Sequence, residues 1–184
     1  MMYDLPKSLL VCGSEYEIRS DYRAVLDICA ALSDNELSDQ EKTLVLLQIM
    51  YPSFSTMPPE HYQEAVQQCF WFMNCGGKED QNRKAPKLVD WEHDFQYIVA
   101  PINRVVGQEI RAVPYLHWWS FISAYYEIGD CTFAQIVRIR DKKARGKPLD
   151  KTDQEWYRNN RSLVDMPTSY TEAENDILKQ WGGG

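Results

Sequence analysis

The chain has 184 residues, of which 44% are hydrophobic and 26% are charged, and its formal net charge at pH 7 is −7. This composition is typical of a globular protein with a core large enough to fold unaided. No apolar run approaches the ~20 residues of a membrane-spanning helix, and the amino terminus lacks the basic-then-apolar order of a signal peptide, so we expect a cytosolic protein that does not enter a membrane.

The first twenty residues carry the only convincing strand signal. Residues 9–12 and 16–19 flank Gly13-Ser14, a pair that suits a tight turn because glycine adopts backbone angles that other residues avoid. The sequence therefore predicts a short amino-terminal β-hairpin.

Three helices are predicted after the hairpin. Residues 21–32 have apolar side chains at helical spacing, with Ser20 or Asp21 as the cap. Ser38 and Glu41 form a capping box for a second helix that ends before Pro52. A third helix opens at Pro58-Pro59 and closes at Asn74. Its predicted apolar stripe consists of Tyr62, Val66, Cys69, Phe70 and Met73.

The second half of the chain is also predicted to be helical. Asp90 is placed to cap a helix that Pro101 kinks and Gly107 ends. Three further capping boxes predict the starts of three later helices. These boxes are Thr132 with Gln135, Thr152 with Glu155, and Thr171 with Glu174.

Between these helices, residues 113–126 are unusually rich in aromatic side chains, and Pro114 is predicted to lie near the first turn of their helix. At 3.6 residues per turn they form two adjoining apolar stripes. One stripe contains Tyr115, Trp119, Ile122 and Tyr126, and the other contains Trp118, Phe121 and Tyr125. Either the helix is the centre of a core, or one stripe packs in the core while the other meets a second protein.

These signals together predict a mainly α fold with about seven to eight helices and a short amino-terminal β-hairpin. We expect residues 1–75 to form the hairpin and three helices, and residues 76–90 to form a flexible loop. Residues 91–165 are expected to form a second helical half packed on the first. Residues 166–184 are expected to form a terminal helix and a mobile glycine tail.

Charge is distributed unevenly along the chain. Residues 1–75 contain 11 acidic and 4 basic side chains, whereas residues 138–161 contain 9 basic and 4 acidic ones. The predicted basic patch comprises Arg138, Arg140, Lys142, Lys143, Arg145 and Lys147. Such polarity suits head-to-tail self-association, a charged partner, or nucleic-acid binding through the 138–161 segment, and an ordinary solvated surface explains it equally well.

No set of residues predicts catalysis. The three histidines are far apart in the sequence, and Asp90, His93 and Asp94 on one helical face lack further metal ligands at a recognised spacing. The five cysteines are scattered, lack a Cys-x-x-Cys spacing, and are expected to be small buried hydrophobic residues. We therefore expect neither an enzyme nor a bound metal or cofactor.

An ordered series of motifs resembles the bacteriophage gene-product-fifteen family over about residues 3–165. The most specific is Tyr-Leu-His-Trp-Trp-Ser-Phe at residues 115–121. The others are Glu-Tyr-Glu-Ile at 15–18, Asp-Tyr-Arg at 21–23, Leu-Ser-Asp-Gln-Glu-Lys at 37–42, Trp-Phe-Met-Asn-Cys-Gly at 71–76 and Asp-Trp-Glu-His-Asp at 90–94.

This resemblance implies a role in the tail-gene clusters of long-tailed phages and prophages of Gram-positive bacteria. Members commonly precede the tape-measure gene, a position usually held by tail assembly chaperones. The implied partners are the tape-measure protein and another tail chaperone or a tail-tube protein, in the host cytoplasm, with homo-oligomerisation left open. The alternatives are a structural component of the tail or virion and a nucleic-acid-binding protein.

The aromatic side chains are the predicted partner-binding residues, either as the contact surface itself or as the core directly beneath it. They are Trp71, Phe72, Tyr115, Trp118, Trp119 and Tyr125.

Overall fold

A computed structural model of the chain describes residues 4–77 and 86–166. These described residues are 60% helical and form eight α-helices and a two-stranded antiparallel sheet at the amino terminus, which confirms the predicted fold class. The chain divides into two compact units; residues 4–77 belong to the first and residues 86–166 to the second. The predicted packing of one half on the other stays a prediction, and the helix predicted at Thr171 lies outside the described residues.

The hairpin consists of β1 (Ser8–Val11) and β2 (Ser14–Glu17), with Val11 opposite Ser14. Cys12 and Gly13 form the turn, and both have positive φ, at 48° and 76°. The prediction that Gly13-Ser14 forms the turn was wrong by one residue. A two-residue turn that matches strand twist needs positive φ at both positions, and Ser14 already pairs within the strand.

The first two helices begin as the sequence predicts. In α1 (Tyr22–Ser33) the Asp21 carboxylate caps the first turn. In α2 (Asp39–Met50) the capping box of Ser38 and Glu41 is formed in both directions. These side chains satisfy backbone N–H groups that a helix start would otherwise leave without acceptors.

The third helix, α3 (Tyr62–Met73), follows two short 3₁₀ turns at Phe54–Thr56 and Pro59–His61. Its predicted apolar stripe was only partly correct, because Cys69 is the one predicted residue that is fully buried. The buried residues are Ala65, Cys69 and Phe72, whereas Tyr62, Val66, Phe70 and Met73 are half-buried. The spacing of i, i+4 and i+7 still keeps the buried residues on one helical face.

The core of the first unit lies where α2 packs on α1 and α3, and where β1 packs on α3. The hydroxyl of the buried Tyr51 donates a hydrogen bond to the Ala65 carbonyl at 2.8 Å, so the one polar atom of the tyrosine side chain has a partner. Other large buried side chains of this core are Tyr22, Ile28, Leu46, Leu47, Met50 and Phe72.

The cysteines are free thiols in different surroundings. Cys69 is buried, as predicted, whereas Cys29, Cys75 and Cys131 are half-buried. Cys12 is exposed, so its predicted burial was wrong, because the hairpin turn projects it from the sheet. The hydrogen bond to the Glu64 carboxylate raises the pKa of the Cys12 thiol.

The described residues of the second unit, 86–166, form five helices. Its first helix begins after Asp90, whose carboxylate accepts from the His93 N–H at 3.1 Å, and ends at Gly107 with φ of 78°, which confirms both predicted boundaries. The five are α4 (Trp91–Val106), α5 (Trp118–Tyr126), α6 (Thr132–Ala144), α7 (Lys151–Asn159) and α8 (Arg161–Val164).

Two predicted capping boxes in this unit were wrong. At the start of α6, the Cys131 sulfur accepts from the Ala134 N–H, so Thr132 is already helical. At the start of α7, the Asp150 carboxylate accepts from the Asp153 N–H at 2.8 Å, two residues before Thr152. Aspartate is at least as good a cap as threonine, so the earlier residue begins the helix.

The predicted start of α5 was also wrong. Pro114 lies in the preceding loop, and the helix begins at Trp118. The His117 Nδ1 atom accepts from the Trp119 N–H at 3.0 Å and so acts as the cap. Tyr115 is therefore outside the helix and does not extend its stripe.

A buried ion pair joins α4 to α6. Asp94 is 0% exposed and Arg140 is 5% exposed, and two guanidinium nitrogens donate to the carboxylate at 2.5 and 3.0 Å. The remaining N–H groups donate to backbone carbonyls of Leu88, Leu163 and Val164. All five donors of the arginine are thus used, which is the condition for burying a guanidinium at tolerable cost.

Removing one partner of this pair should unfold the second unit readily. We expect Asp94→Ala to lower the free energy of unfolding by about 3–5 kcal/mol, because it leaves a buried charge without its counter-ion. Replacing both residues, as in Asp94→Leu with Arg140→Met, should restore much of the loss. Urea unfolding followed by tryptophan fluorescence measures both.

The matched control is Arg145→Ala, which breaks the exposed pair between Arg145 and Asp141 and should cost less than about 1 kcal/mol. Equal losses for Asp94→Ala and Arg145→Ala would contradict the importance of the buried pair.

Candidate interaction site

An aromatic cluster lies beneath one side of α5. The Trp118 ring stacks on Phe121 at 5.6 Å between ring centroids, and Trp91 of α4 meets Trp118 edge-on at 6.1 Å. Trp91 also lies 5.2 Å from Tyr125, which lies 6.0 Å from Phe133 of α6. Such offset and edge-to-face contacts add to the stabilisation from burial. The cluster therefore fixes α5 against two neighbouring helices.

The opposite side of α5 is more open to solvent. Trp119, Ile122 and Tyr126 share one helical face, and we call them the outer stripe. Trp119 and Ile122 are half-buried, and Tyr126 is 77% exposed. Tyr115, just before the helix, is 46% exposed. One stripe of the aromatic helix therefore packs inside and the other is partly accessible, while the expected contact of the second stripe with another protein stays a prediction.

The predicted partner-binding residues divide between core and surface. Phe72 and Trp118 are buried, and Tyr125 is half-buried. Burial raises the pKa of the Tyr125 hydroxyl to about 12. Tyr115 and Trp71 are exposed, and Trp119 is half-buried. Trp71 and Phe72 belong to the first unit and the others to the second. Direct contact with a partner stays a prediction, and only the accessible members can form its surface.

Within the basic patch, Arg140 is not a surface residue at all. It was predicted as part of an exposed patch, but it is buried against Asp94. The physical reason is its position on α6, where Phe133, Ile136, Ile139 and Arg140 form the buried face.

The other basic side chains of the patch are mostly paired. Arg138 and Lys142 both reach the Asp153 carboxylate, at 2.7 and 2.5 Å. Lys143 contacts Asp165 at 2.6 Å, and Arg145 contacts Asp141 at 2.5 Å. Lys147 is exposed. Most basic side chains of the patch therefore have a carboxylate partner in the folded unit.

Asp153 is the centre of this charge network. Its carboxylate is buried and accepts from Lys142, Gln135 and Arg138, at 2.5, 3.0 and 2.7 Å. The hydrogen bond from Lys142 is the main reason that the pKa of Asp153 falls to about 2, with further lowering from Gln135 and Arg138. The network ties α6 to α7.

The face predicted as a weak metal site is occupied by structural contacts. Asp90 caps α4, and Asp94 accepts from both Arg140 and the Asp90 N–H. Within residues 4–77 and 86–166, no group of three or more His, Cys, Asp or Glu side chains is placed to hold a metal ion.

Three important residues were missed by the sequence patterns. Trp91 appeared only within the motif at residues 90–94, although it is the centre of the aromatic cluster. Tyr126 was placed in a stripe but was not among the predicted contact residues. Asp153 gave no signal beyond its place in a predicted helix, because its hydrogen-bond partners on α6 are 11 to 18 residues away.

The chain is similar to a known family of bacteriophage proteins. The family model for the bacteriophage Gp15 protein matches residues 2–166, which is most of the chain. The chain belongs to the bacteriophage Gp15 family. Searches of curated proteins and of solved structures find no match. Membership confirms the resemblance and indicates a phage-associated structural or assembly protein.

The family match covers all the described residues of both units. The aromatic cluster and the charge network therefore both lie within it. In the described part of this Gp15 family member, no helix is both long and apolar enough to cross a membrane.

The two sides of α5 should respond differently to truncation. We expect Trp118→Ala to lower the free energy of unfolding by about 3–5 kcal/mol, because it leaves a cavity in the cluster. Tyr126→Ala should change it by less than about 0.5 kcal/mol, because the side chain is exposed. Urea unfolding tests both, and a large loss for Tyr126→Ala would contradict the surface assignment.

The Asp153 network should make stability depend on acid pH. Because the folded pKa of about 2 lies below the ordinary value of 3.8, the stabilisation is present above about pH 4 and is lost as the pH falls toward 2. Asp153→Asn should therefore be less stable at neutral pH and lose less stability between pH 4 and 2. The control is Glu155→Gln, an exposed acid on the same helix. The same acid dependence in wild type and Asp153→Asn would contradict the role of the network.

Proposed function

We propose that this protein is a non-enzymatic tail assembly chaperone that shields the tape-measure protein in the host cytoplasm before the tail tube polymerises. Family membership supports a phage structural or assembly role, and the accessible aromatic face of the second unit supports the chaperone role. The observation that carries the proposal is the outer stripe. Its Tyr126 is 77% exposed, and the opposite side of the helix packs through the stacked rings of Trp118 and Phe121.

The chemistry of the outer stripe suits a long helical partner. A tape-measure protein is mostly helical and would expose apolar stripes until tube subunits surround it. Tyrosine and tryptophan provide large contact areas with little loss of side-chain freedom, and they are enriched at protein interfaces. A helix of the partner could lie along the stripe with its apolar face inward.

The partly accessible character of the stripe favours modest affinity. Trp119 and Ile122 are half-buried, so they offer edges rather than deep anchors. Binding energy concentrates in fully desolvated central contacts, and a surface with few of these releases its partner readily. Release is what a chaperone needs when tube subunits displace it.

The nucleic-acid alternative loses support from the ion pairs. Phosphate binding needs basic side chains that are available to replace counter-ions. Arg140 is buried, and four of the other five residues of the basic patch contact carboxylates. The structural-component alternative differs from a chaperone in its fate, because only a structural component would remain in finished particles.

Co-expression with the neighbouring tape-measure protein tests the proposal. We expect the tagged wild-type chain to keep the partner soluble and to co-purify with it, and Tyr126→Asp to reduce the captured amount at least fivefold while the variant stays folded. The matched control is Leu44→Asp, which changes an exposed apolar residue of the first unit and should leave capture unchanged.

Two results would argue against the chaperone. Capture that is equally strong with Tyr126→Asp would exclude the outer stripe as the contact surface. Stoichiometric amounts of the protein in purified virions would instead favour a structural component.

A further inference from the structure

One edge of the amino-terminal hairpin carries backbone groups that do not pair with the other strand. In an antiparallel pair, hydrogen-bonded and non-hydrogen-bonded residue pairs alternate. The Ile18 N–H donates to the Lys7 carbonyl at 3.0 Å, so Lys7 and Ile18 form a bonded pair. The register places Ser8 opposite Glu17 and Leu10 opposite Glu15, so these pairs are the non-bonded ones. The N–H and C=O groups of Ser8 and Leu10 consequently point away from β2.

No other described element satisfies these groups. The sheet has two strands, and within residues 4–77 and 86–166 no backbone hydrogen bond reaches Ser8 or Leu10 from outside the hairpin. Leu10 is 63% exposed. An open edge of this kind is a template for an additional strand.

The two edges of the hairpin are not equivalent. Glu15 and Glu17 are the outward-bonding residues of β2, and charged side chains on an edge discourage strand addition. The corresponding residues of β1 are Ser8 and Leu10, which carry no charge. The edge of β1 is therefore the one available for pairing.

The electrostatics of the first unit select the partner. Residues 4–77 contain 11 acidic and 4 basic side chains. Two of the basic ones are engaged: Arg19 donates to the carbonyls of Gln48 and Ile49 at 2.7 Å, and Arg23 pairs with Asp21 at 3.0 Å. Pairing between two copies of β1 would bring two acidic units together, which costs electrostatic energy. A basic strand would be attracted.

We propose that β1 binds an extended, positively charged segment of another protein as a third, edge strand of the hairpin. This proposal goes beyond the chaperone function and does not rest on the outer stripe. The added backbone pairs with Ser8 and Leu10. Its lysine or arginine side chains lie on the face of the sheet that carries Leu10, Glu15 and Glu17.

The spacing of strands supports this assignment of charge. A third strand lies about 4.8 Å from β1 and so about 10 Å from β2. Lysine and arginine side chains can span much of that distance, and their apolar stems can cover Leu10. At physiological ionic strength the Debye length is about 8 Å, so salt screens much of this attraction between exposed charges. With four residues in β1, the complex is expected to be weak and salt-dependent.

The test uses the full chain and a synthetic peptide, acetyl-Lys-Val-Lys-Val-Lys-Val-amide, titrated in low salt. We expect the NMR signals of the Ser8 and Leu10 amides to shift on binding. Leu10→Pro should weaken binding at least tenfold, because proline removes an outward N–H without removing a hydrogen bond of the hairpin. Leu10→Ala, the matched control, keeps that N–H and should weaken binding less than threefold.

Further peptides keep the test decisive if Leu10→Pro fails to fold. The same peptide with methylated backbone nitrogens on its pairing edge should bind at least tenfold more weakly to the wild-type chain. Equal binding of the methylated peptide, or of acetyl-Glu-Val-Glu-Val-Glu-Val-amide, would overturn the proposal. Self-association that shifts the Ser8 and Leu10 amides and excludes the basic peptide would also overturn it, since the occupant would then be a second copy.

Discussion

The guanidinium of Arg140 is the constraint on which the second unit depends. It can be buried only if every N–H finds an acceptor, and the acceptors come from Asp94 of α4, the α8 carbonyls and Leu88. Because the donors have fixed directions, the separation of α4 and α6 is fixed as well. Those two helices supply the aromatic rings that hold α5, so the ion pair also determines where α5 can lie.

The packing of α5 through buried aromatic rings explains how its opposite side can expose apolar side chains without loss of structure. Trp118 and Phe121 anchor the helix from the inside, whereas Tyr126 is exposed, so we expect Tyr126 to contribute little to folding. Exposed aromatic residues are otherwise a solubility liability. Under the proposed function, a partner protein that covers these residues removes this liability.

Local chemistry was predictable from the sequence, and distant pairing was not. α4 begins after Asp90 and ends at Gly107, as predicted, because capping depends on residues within one helical turn. Cys131 and Asp150 displaced two predicted caps, since neighbouring candidates competed for the same role. Arg140 shows the larger limit: its acceptors lie 23 to 52 residues away, so nothing near it in the chain distinguished a buried arginine from a surface one.

Pairing between residues that are distant in the sequence also changes how the charge distribution along the chain is interpreted. Residues 86–166 contain 12 basic and 11 acidic side chains, and the ion pairs of α6 and α7 bring many of them together. The acidic residues of the first unit have too few basic neighbours in their own unit to be compensated in this way. The lasting electrostatic feature is thus the negative first unit rather than the basic segment. A negative surface attracts cationic protein segments and repels polyanions, which favours protein partners over nucleic acid.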